Sequence, residues 1–162
     1  PRPTELRQAG WSEFNLADGI WTIPEERIKL RREYRVPLST QAIALLKDLK
    51  RITGGHKYVF SGRSSGQKPL SNTALAIAMQ ILGFSRDVHT AHGFRSSFSS
   101  MANDHELGRW DVIEANLDHR DENQTRAVYN RASYWRERMT LTQAWADFCD
   151  DCKGQAKKKA EQ

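Results

Sequence analysis

The stretch Phe14-Asn15-Leu16-Ala17-Asp18-Gly19-Ile20-Trp21-Thr22-Ile23 indicates that this chain is not purely helical. The Asp18-Gly19 pair lies between two runs with alternating apolar positions, which is the pattern of an antiparallel hairpin. Tyr34-Arg35-Val36-Pro37-Leu38 predicts a third strand. Proline cannot donate to a sheet ladder, so Pro37 places that strand at an edge or the proline at a strand end. We therefore expect a small three-stranded antiparallel sheet.

Helical periodicity dominates the sequence on both sides of this sheet. Ser39 or Thr40 can cap a helix that Gly54-Gly55 ends. The other predicted helical segments are 4–8, 74–82 behind a Ser71 cap, about 91–103, about 110–116, 124–130 and an amphipathic run over 133–150. The fold class that follows is α+β and mostly helical, with the sheet packed on a helical domain.

The bulk composition fits one soluble domain with a basic surface. The 162 residues are 38% hydrophobic and carry a formal net charge of +5, which favours a polyanionic partner such as nucleic acid. No apolar run approaches the roughly 20 residues of a membrane span, and no secretory signal is evident.

The pair Cys149 and Cys152 has no second pair to complete a zinc site, so we expect reduced thiols and no metal.

The chemically informative residues cluster around His92-Gly93-Phe94-Arg95. His92 and Arg95 are three residues apart, so a helix presents them on one face. Further candidates lie far away in sequence: Arg2 at the start, Lys29 in a basic turn with Arg31 and Arg32 before the third strand, then His119 and Tyr129.

This ordered set resembles the tyrosine recombinase (phage integrase) family over most of the chain. The motifs R-P-x-E-L-R-x-A-x-W near the start, H-G-F-R in the middle, and Y-N-R-A with a late W-A-D look like its prophage and satellite-phage branch. Many relatives have Gly before the second His, where this chain has Asp118. The resemblance implies a tyrosine recombinase catalytic-domain fold, with the preceding helix and an N-terminal core-binding domain lying outside this chain.

The resemblance also implies a role for each candidate. Tyr129 would attack a DNA phosphodiester and form a 3′-phosphotyrosyl link, without metal, cofactor or ATP. Arg2 and Arg95 would clamp the phosphate oxygens, since guanidinium groups are planar and permanently charged. His92 would assist proton transfer at the tyrosine, Lys29 would be general acid to the leaving oxygen, and His119 would hydrogen-bond the phosphate. Arg31 and Arg32 would join Arg2 and Arg95 in binding DNA.

The same resemblance sets expectations for organisation and partners. Residues 1–152 would form the integrase catalytic domain, and composition predicts a disordered basic tail over 153–162. The partner would be double-stranded DNA at attachment sites, bound by four protomers in a recombination synapse. We expect a monomer when the chain is alone, no membrane partner, and a place in the bacterial cytoplasm in association with the nucleoid.

Other functions and other residues stay open at this stage. The chain could be a DNA-binding module that lacks catalysis, a metal-dependent nuclease using His92 and His119 with Asp118 and Asp121, or a non-enzymatic interaction domain. Rival nucleophiles are Tyr34, Tyr58 and Tyr134, and we expect an amphipathic helix to bury Tyr134. His56, His89 and His105 have no partner by sequence and are expected to be structural or surface residues.

Overall fold

The architecture is mostly helical with one small sheet, as the sequence predicts. The computed structural model describes residues 1–28, 32–62, 66–118 and 134–161. Within these ranges the α-helices and β-strands, in chain order, are α1 (Pro3–Arg7), β1 (Phe14–Asn15), β2 (Ile20–Ile23), β3 (Tyr34–Pro37), α2 (Thr40–Thr53), α3 (Ala74–Ile81), α4 (Gly93–Asp104), α5 (Trp110–Asn116) and α6 (Trp135–Ala160).

The three strands form the antiparallel sheet that the hairpin pattern predicts, in the order β1-β2-β3. Gly19 has a φ of +66°, a left-handed conformation that glycine adopts without the steric penalty other residues meet. Its carbonyl accepts a hydrogen bond from the Leu38 amide at 2.8 Å. Pro37 is the last residue of the edge strand β3, where a missing amide costs least.

One face of the sheet builds the first of two hydrophobic clusters. Trp21 and Ile23 alternate with half-buried residues along β2, so one side of the strand points inward. The helix α2 packs Leu46 and Leu49 against this cluster. The Ser39 hydroxyl caps α2 by accepting a hydrogen bond from the Ala42 amide at 3.2 Å. The predicted start of this helix is confirmed.

The second hydrophobic cluster is formed by α4, α5 and α6. Its buried members are Phe98, Ala102, Val112, Ile113, Leu117 and Leu141. Fully burying a side chain the size of Ile113 or Leu141 stabilises the fold by about 1.5–3 kcal/mol relative to leaving it exposed. The cluster packs α4 against α5, and site residues lie at the start of α4 and directly after α5.

The last helix extends further than the composition predicts. Residues 153–160, expected to be disordered, lie in α6 and are exposed. Alanine, glutamine and lysine are good helix formers, and Lys157, Lys158 and Lys159 complement the negative end of the helix dipole. The structure thus describes 153–160 as a continuation of α6.

Two smaller points complete the comparison with the sequence. The N-cap of α3 is Thr73 rather than the predicted Ser71, and the Ser71 hydroxyl instead contacts that of Thr73 at 3.2 Å. The predicted short helix over 124–130 lies outside the described residues. In the part of the chain that the structure describes, no helix has both the length and the apolar character needed to cross a membrane.

Candidate active site

Three of the predicted site residues line one cavity, although they are distant in sequence. Arg2 is the N-cap of α1, His92 immediately precedes α4, and Arg95 lies in the first turn of α4. The cavity has a volume of about 340 Å³ and is lined by Arg2, His92, Arg95, Ser96, Ser99, Ser100 and Leu117. It therefore combines two cations, an imidazole and three hydroxyl groups, all of which can donate hydrogen bonds to an anion.

Arg2 is held at the cavity by carboxylates. Its Nη1 atom donates a hydrogen bond to Oε1 of the buried Glu5 at 2.9 Å, and the same Nη1 lies 3.7 Å from Oδ2 of Asp118. The hydrogen bond with Glu5, with the charges of Glu5 and Asp118, raises the pKa of Arg2 despite some desolvation. Arg2 is accordingly a permanent cation, and the charges of two neighbouring carboxylates favour its position beside the cavity.

A backbone carbonyl helps to hold Arg95 at the cavity. Its Nη2 atom donates a hydrogen bond to the Leu117 carbonyl oxygen at 2.6 Å. Burial, followed by repulsion from Arg2, lowers the pKa of Arg95 below its usual value. A desolvated cation beside a second cation is stabilised when an anion binds near both. This pair of arginines therefore favours binding of a phosphate-sized anion.

Asp118 lies near two arginines, Arg2 and Arg32, which its place in the sequence does not predict. The residue has a φ of +55° and is only 5% exposed. Its Oδ1 atom accepts a hydrogen bond from Nη2 of Arg32 at 2.5 Å. Aspartate tolerates the left-handed region that glycine prefers, so aspartate can occupy a position where the family resemblance predicts glycine. The aspartate in place of glycine is the one sequence feature that draws attention to this pairing with arginines.

Two of the three rival tyrosines, Tyr34 and Tyr134, lie in surroundings that make a nucleophilic role unfavourable. The buried Tyr34 hydroxyl lies 2.9 Å from the carbonyls of Ala115 and Asn116, and burial raises the pKa of Tyr34 to about 12. Tyr134 is the half-buried N-cap of α6 rather than buried as expected. Partial burial and the neighbouring carboxylate of Asp111 raise the pKa of Tyr134. Both environments disfavour a phenolate.

The other histidines make local contacts away from the cavity. The Nδ1 atom of His56 lies 2.7 Å from the Ser61 hydroxyl. His89 packs edge-on against Phe94 at 4.5 Å between ring centroids, and His105 packs against Phe148 at 4.6 Å. These contacts fit the structural roles that the sequence predicts.

The remaining predicted site residues lie outside the described residues: Lys29, Arg31, His119 and Tyr129. The exposed Arg32 and the buried Asp118 are the described positions next to two of these gaps. Among the described residues, no group of three His, Cys, Asp or Glu side chains could hold a metal ion. Cys149 and Cys152 are free and exposed.

The fold and the cavity define a class of protein: an α+β domain whose paired arginines and histidine can bind an anion such as a phosphodiester. The chain belongs to the phage integrase family, whose sequence profile matches residues 1–136. The resemblance drawn from the ordered motifs is thus confirmed.

Individual relatives agree with this assignment. The chain is similar to prophage integrase IntZ of Escherichia coli K12, with 40% identity over 92% of this chain and 36% of the relative. It is 37% identical to the putative protein IntB of the same strain, over 92% of this chain and 41% of the relative. The integrase of Enterobacteria phage P4 is 33% identical, over 92% of this chain and 37% of the relative. The chain therefore spans about two fifths of the length of these relatives. No solved structure matches it significantly.

Proposed function

We propose that this chain is the catalytic part of a site-specific DNA recombinase that integrates or excises a prophage or genomic island. The observation that carries the proposal is the convergence of Arg2, His92 and Arg95 on one cavity in a member of the phage integrase family. Relatives that match most of the chain are named integrases. The domain would comprise residues 1–152, and α6 continues beyond that boundary.

The proposed reaction is a pair of phosphoryl transfers through Tyr129. Its phenolic oxygen attacks the phosphorus of a DNA phosphodiester, and the bond from phosphorus to the 5′-oxygen breaks. His92 assists removal of the phenolic proton, while Lys29 protonates the leaving 5′-oxygen. A 5′-hydroxyl then attacks the 3′-phosphotyrosyl link and the tyrosine leaves as a phenol. One ester bond replaces another at each step, so neither ATP nor a redox partner is needed.

The two arginines supply the charge stabilisation that this reaction requires. Negative charge grows on the non-bridging oxygens as the phosphorus becomes five-coordinate, and preorganised donors at that point lower the barrier. Arg2 and Arg95 already line the cavity and are held there by Glu5 and by the Leu117 carbonyl. His119 would add a hydrogen bond to the phosphate. Arg31 and Arg32 would contact neighbouring DNA phosphates together with the two cavity arginines.

The proposed partner is double-stranded DNA at an attachment site. Recombination needs two duplexes cut on both strands, which calls for four protomers in the synapse, whereas the chain alone would be a monomer. The net charge of +5 supports binding to a polyanion. We place the protein in the bacterial cytoplasm in association with the nucleoid, where such DNA lies.

Covalent trapping tests this proposal without knowledge of the attachment site. The chain is incubated with a pool of randomised duplexes, each carrying a nick, so that cleavage beside the nick releases a short fragment and prevents rejoining. We expect a denaturation-resistant protein–DNA adduct, mapped to Tyr129 by mass spectrometry of protease digests. Tyr129→Phe should abolish the adduct, and Tyr134→Phe is the matched control that should retain it.

Each competing function predicts a different result in the same assay. A DNA-binding module without catalysis would bind the duplexes and form no adduct. A metal-dependent nuclease would cut the DNA without a covalent link and would stop in the presence of a chelator. An interaction domain would not bind duplex DNA even at low salt. Any of these three outcomes would overturn the proposal.

A further inference from the structure

Three arginines from separate parts of the chain interact with the dipeptide Leu117-Asp118, which directly follows α5. Arg95 from α4 donates to the Leu117 carbonyl at 2.6 Å. Arg32, which precedes β3, donates to Asp118 Oδ1 at 2.5 Å, and Arg2 at the start of α1 lies 3.7 Å from Oδ2. The helix α5 ends at Asn116, and Asp118 has a left-handed backbone conformation.

The carboxylate of Asp118 is a buried counter-ion in this arrangement. Its side chain is 4% exposed, whereas those of Arg2 and Arg32 are 33% and 59% exposed. A buried carboxylate is costly unless cations pair with it, and clustered guanidinium groups repel one another unless an anion lies among them. The two requirements are met together here, because one carboxylate lies near two arginines.

The two oxygens of the carboxylate hold their arginines differently. Oδ1 makes a short hydrogen bond with Arg32, whereas Oδ2 accepts no hydrogen bond from any of the described residues. Arg2 is therefore attracted to Oδ2 by charge at 3.7 Å, while its Nη1 hydrogen bond goes to Glu5. The attraction orients Arg2 and leaves its remaining N–H groups outside the contact with Asp118.

We propose that Asp118 is a positioning residue for the DNA-cleavage reaction. Its carboxylate orients Arg2 at the cavity and anchors Arg32, and with it the chain segment that leads into β3. The inference rests on the proposed function, because it concerns the rate of the same phosphoryl transfer. Asp118 itself is an anion and does not line the cavity, so it acts on the phosphate through the arginines.

Asp118→Asn tests the charge while keeping a residue that tolerates the left-handed backbone. We expect the single-turnover rate of adduct formation on nicked duplexes to fall by about 10- to 100-fold. Affinity for intact duplex should stay equal or become tighter, since a negative charge near the phosphate has been removed. A merely structural defect would weaken affinity and rate together, so this split distinguishes positioning from general damage.

Two further variants keep the test decisive if Asp118→Asn folds poorly. Asp118→Gly preserves the backbone conformation without a carboxylate, and it should show the same loss of rate. Arg32→Gln removes the cation from an exposed side chain. Its effect should be non-additive with Asp118→Asn, because the two residues act as a pair. Asp111→Asn is the matched control: this aspartate in α5 pairs with Arg109, the residue before that helix, at 2.5 Å and should retain the wild-type rate.

The outcomes of this experiment separate the inference from the proposed function. If the wild-type chain forms the adduct and Asp118→Asn and Asp118→Gly react at the wild-type rate, Asp118 has no positioning role and the function is untouched. A parallel loss of rate and duplex affinity in both variants also overturns the inference. Absence of any adduct with the wild-type chain overturns the proposed function, and the inference falls with it.

Discussion

Tyr34 and Arg138, two buried residues 104 positions apart, share a hydrogen bond of 2.9 Å from the arginine Nη2 to the phenolic oxygen. The same Nη2 atom donates to the carbonyl of Arg35 at 2.6 Å, and the Tyr34 hydroxyl lies within 2.9 Å of the Asn116 carbonyl. This network joins β3, the end of α5 and α6. It therefore braces the place where Leu117 and Asp118 meet the site arginines.

The network makes stability sensitive to alkaline pH through Tyr34. Burial raises the pKa of Tyr34 to about 12 from an ordinary value near 10, so the folded state prefers the neutral phenol. The resulting stabilisation is complete below pH 10 and is lost as the pH rises toward 12. Urea unfolding between pH 8 and pH 11.5 should show a steeper alkaline decline for the wild type than for Tyr34→Phe.

A control separates this effect from the general titration of tyrosines and lysines. Tyr134→Phe removes a phenol that is only half-buried, and it should keep most of the wild-type decline. Equal slopes for the wild type and Tyr34→Phe would show that Tyr34 does not titrate as described.

Arg95 is expected to be irreplaceable by lysine. A guanidinium can donate to the Leu117 carbonyl through one nitrogen and to a phosphate oxygen through another, whereas an ammonium cannot span both. Arg95→Lys should lower the single-turnover rate of adduct formation by about 10²–10³-fold, the typical loss for one oxyanion donor. Arg109→Lys, at an exposed arginine paired with Asp111, should react like the wild type. A fully active Arg95→Lys would count against the clamp.

The hairpin glycine should carry a measurable share of the fold stability. Gly19 has a φ of +66°, and a side chain in that region costs about 1–2 kcal/mol. Gly19→Ala should lower the free energy of unfolding by about that amount in urea titrations. Gly55→Ala is the matched control, because a Cβ atom there meets nothing within 4 Å. Equal stability of the two variants would contradict the argument.

DNA binding by this chain should be weak and sensitive to salt. Contacts of arginine and lysine with phosphates release counterions, so affinity should fall steeply between roughly 50 and 200 mM salt. Fluorescence anisotropy with a labelled duplex measures this slope directly. Arg32→Gln should make the slope shallower by about one unit, as expected for one lost phosphate contact. Affinity that is unchanged across this range would exclude backbone contacts as the source of binding.

Local signals explain why most of the fold is readable from the sequence. The Asp18-Gly19 turn, the Ser39 cap and the Gly54 stop act within a few residues, so the elements they bound lie where expected. The difference between expectation and structure at the C-terminal end also comes from a local property. Low apolar content predicts disorder over 153–162, whereas helix propensity, which is also a local property, accounts for the helix over 153–160.

Tertiary contacts limit what could be predicted for the site. The spacing of His92 and Arg95 is visible in one motif, whereas the approach of Arg2 to them follows only from the family resemblance. Arg138 lies on an amphipathic helix and would be expected at its surface, yet it is buried against Tyr34. The roles of Arg138 and Asp118 depend on partners more than 80 residues away, and spacing along the chain contains no record of such pairs.

Few residue types at position 118 can keep both the left-handed backbone and the negative charge. Glycine and asparagine would accept the backbone conformation but would leave the arginines without an anion. Glutamate would restore the anion on a longer side chain that is poorly suited to a left-handed turn. A lineage that substitutes this aspartate must therefore give up either the charge or the local backbone, unless it supplies the missing carboxylate from another part of the protein.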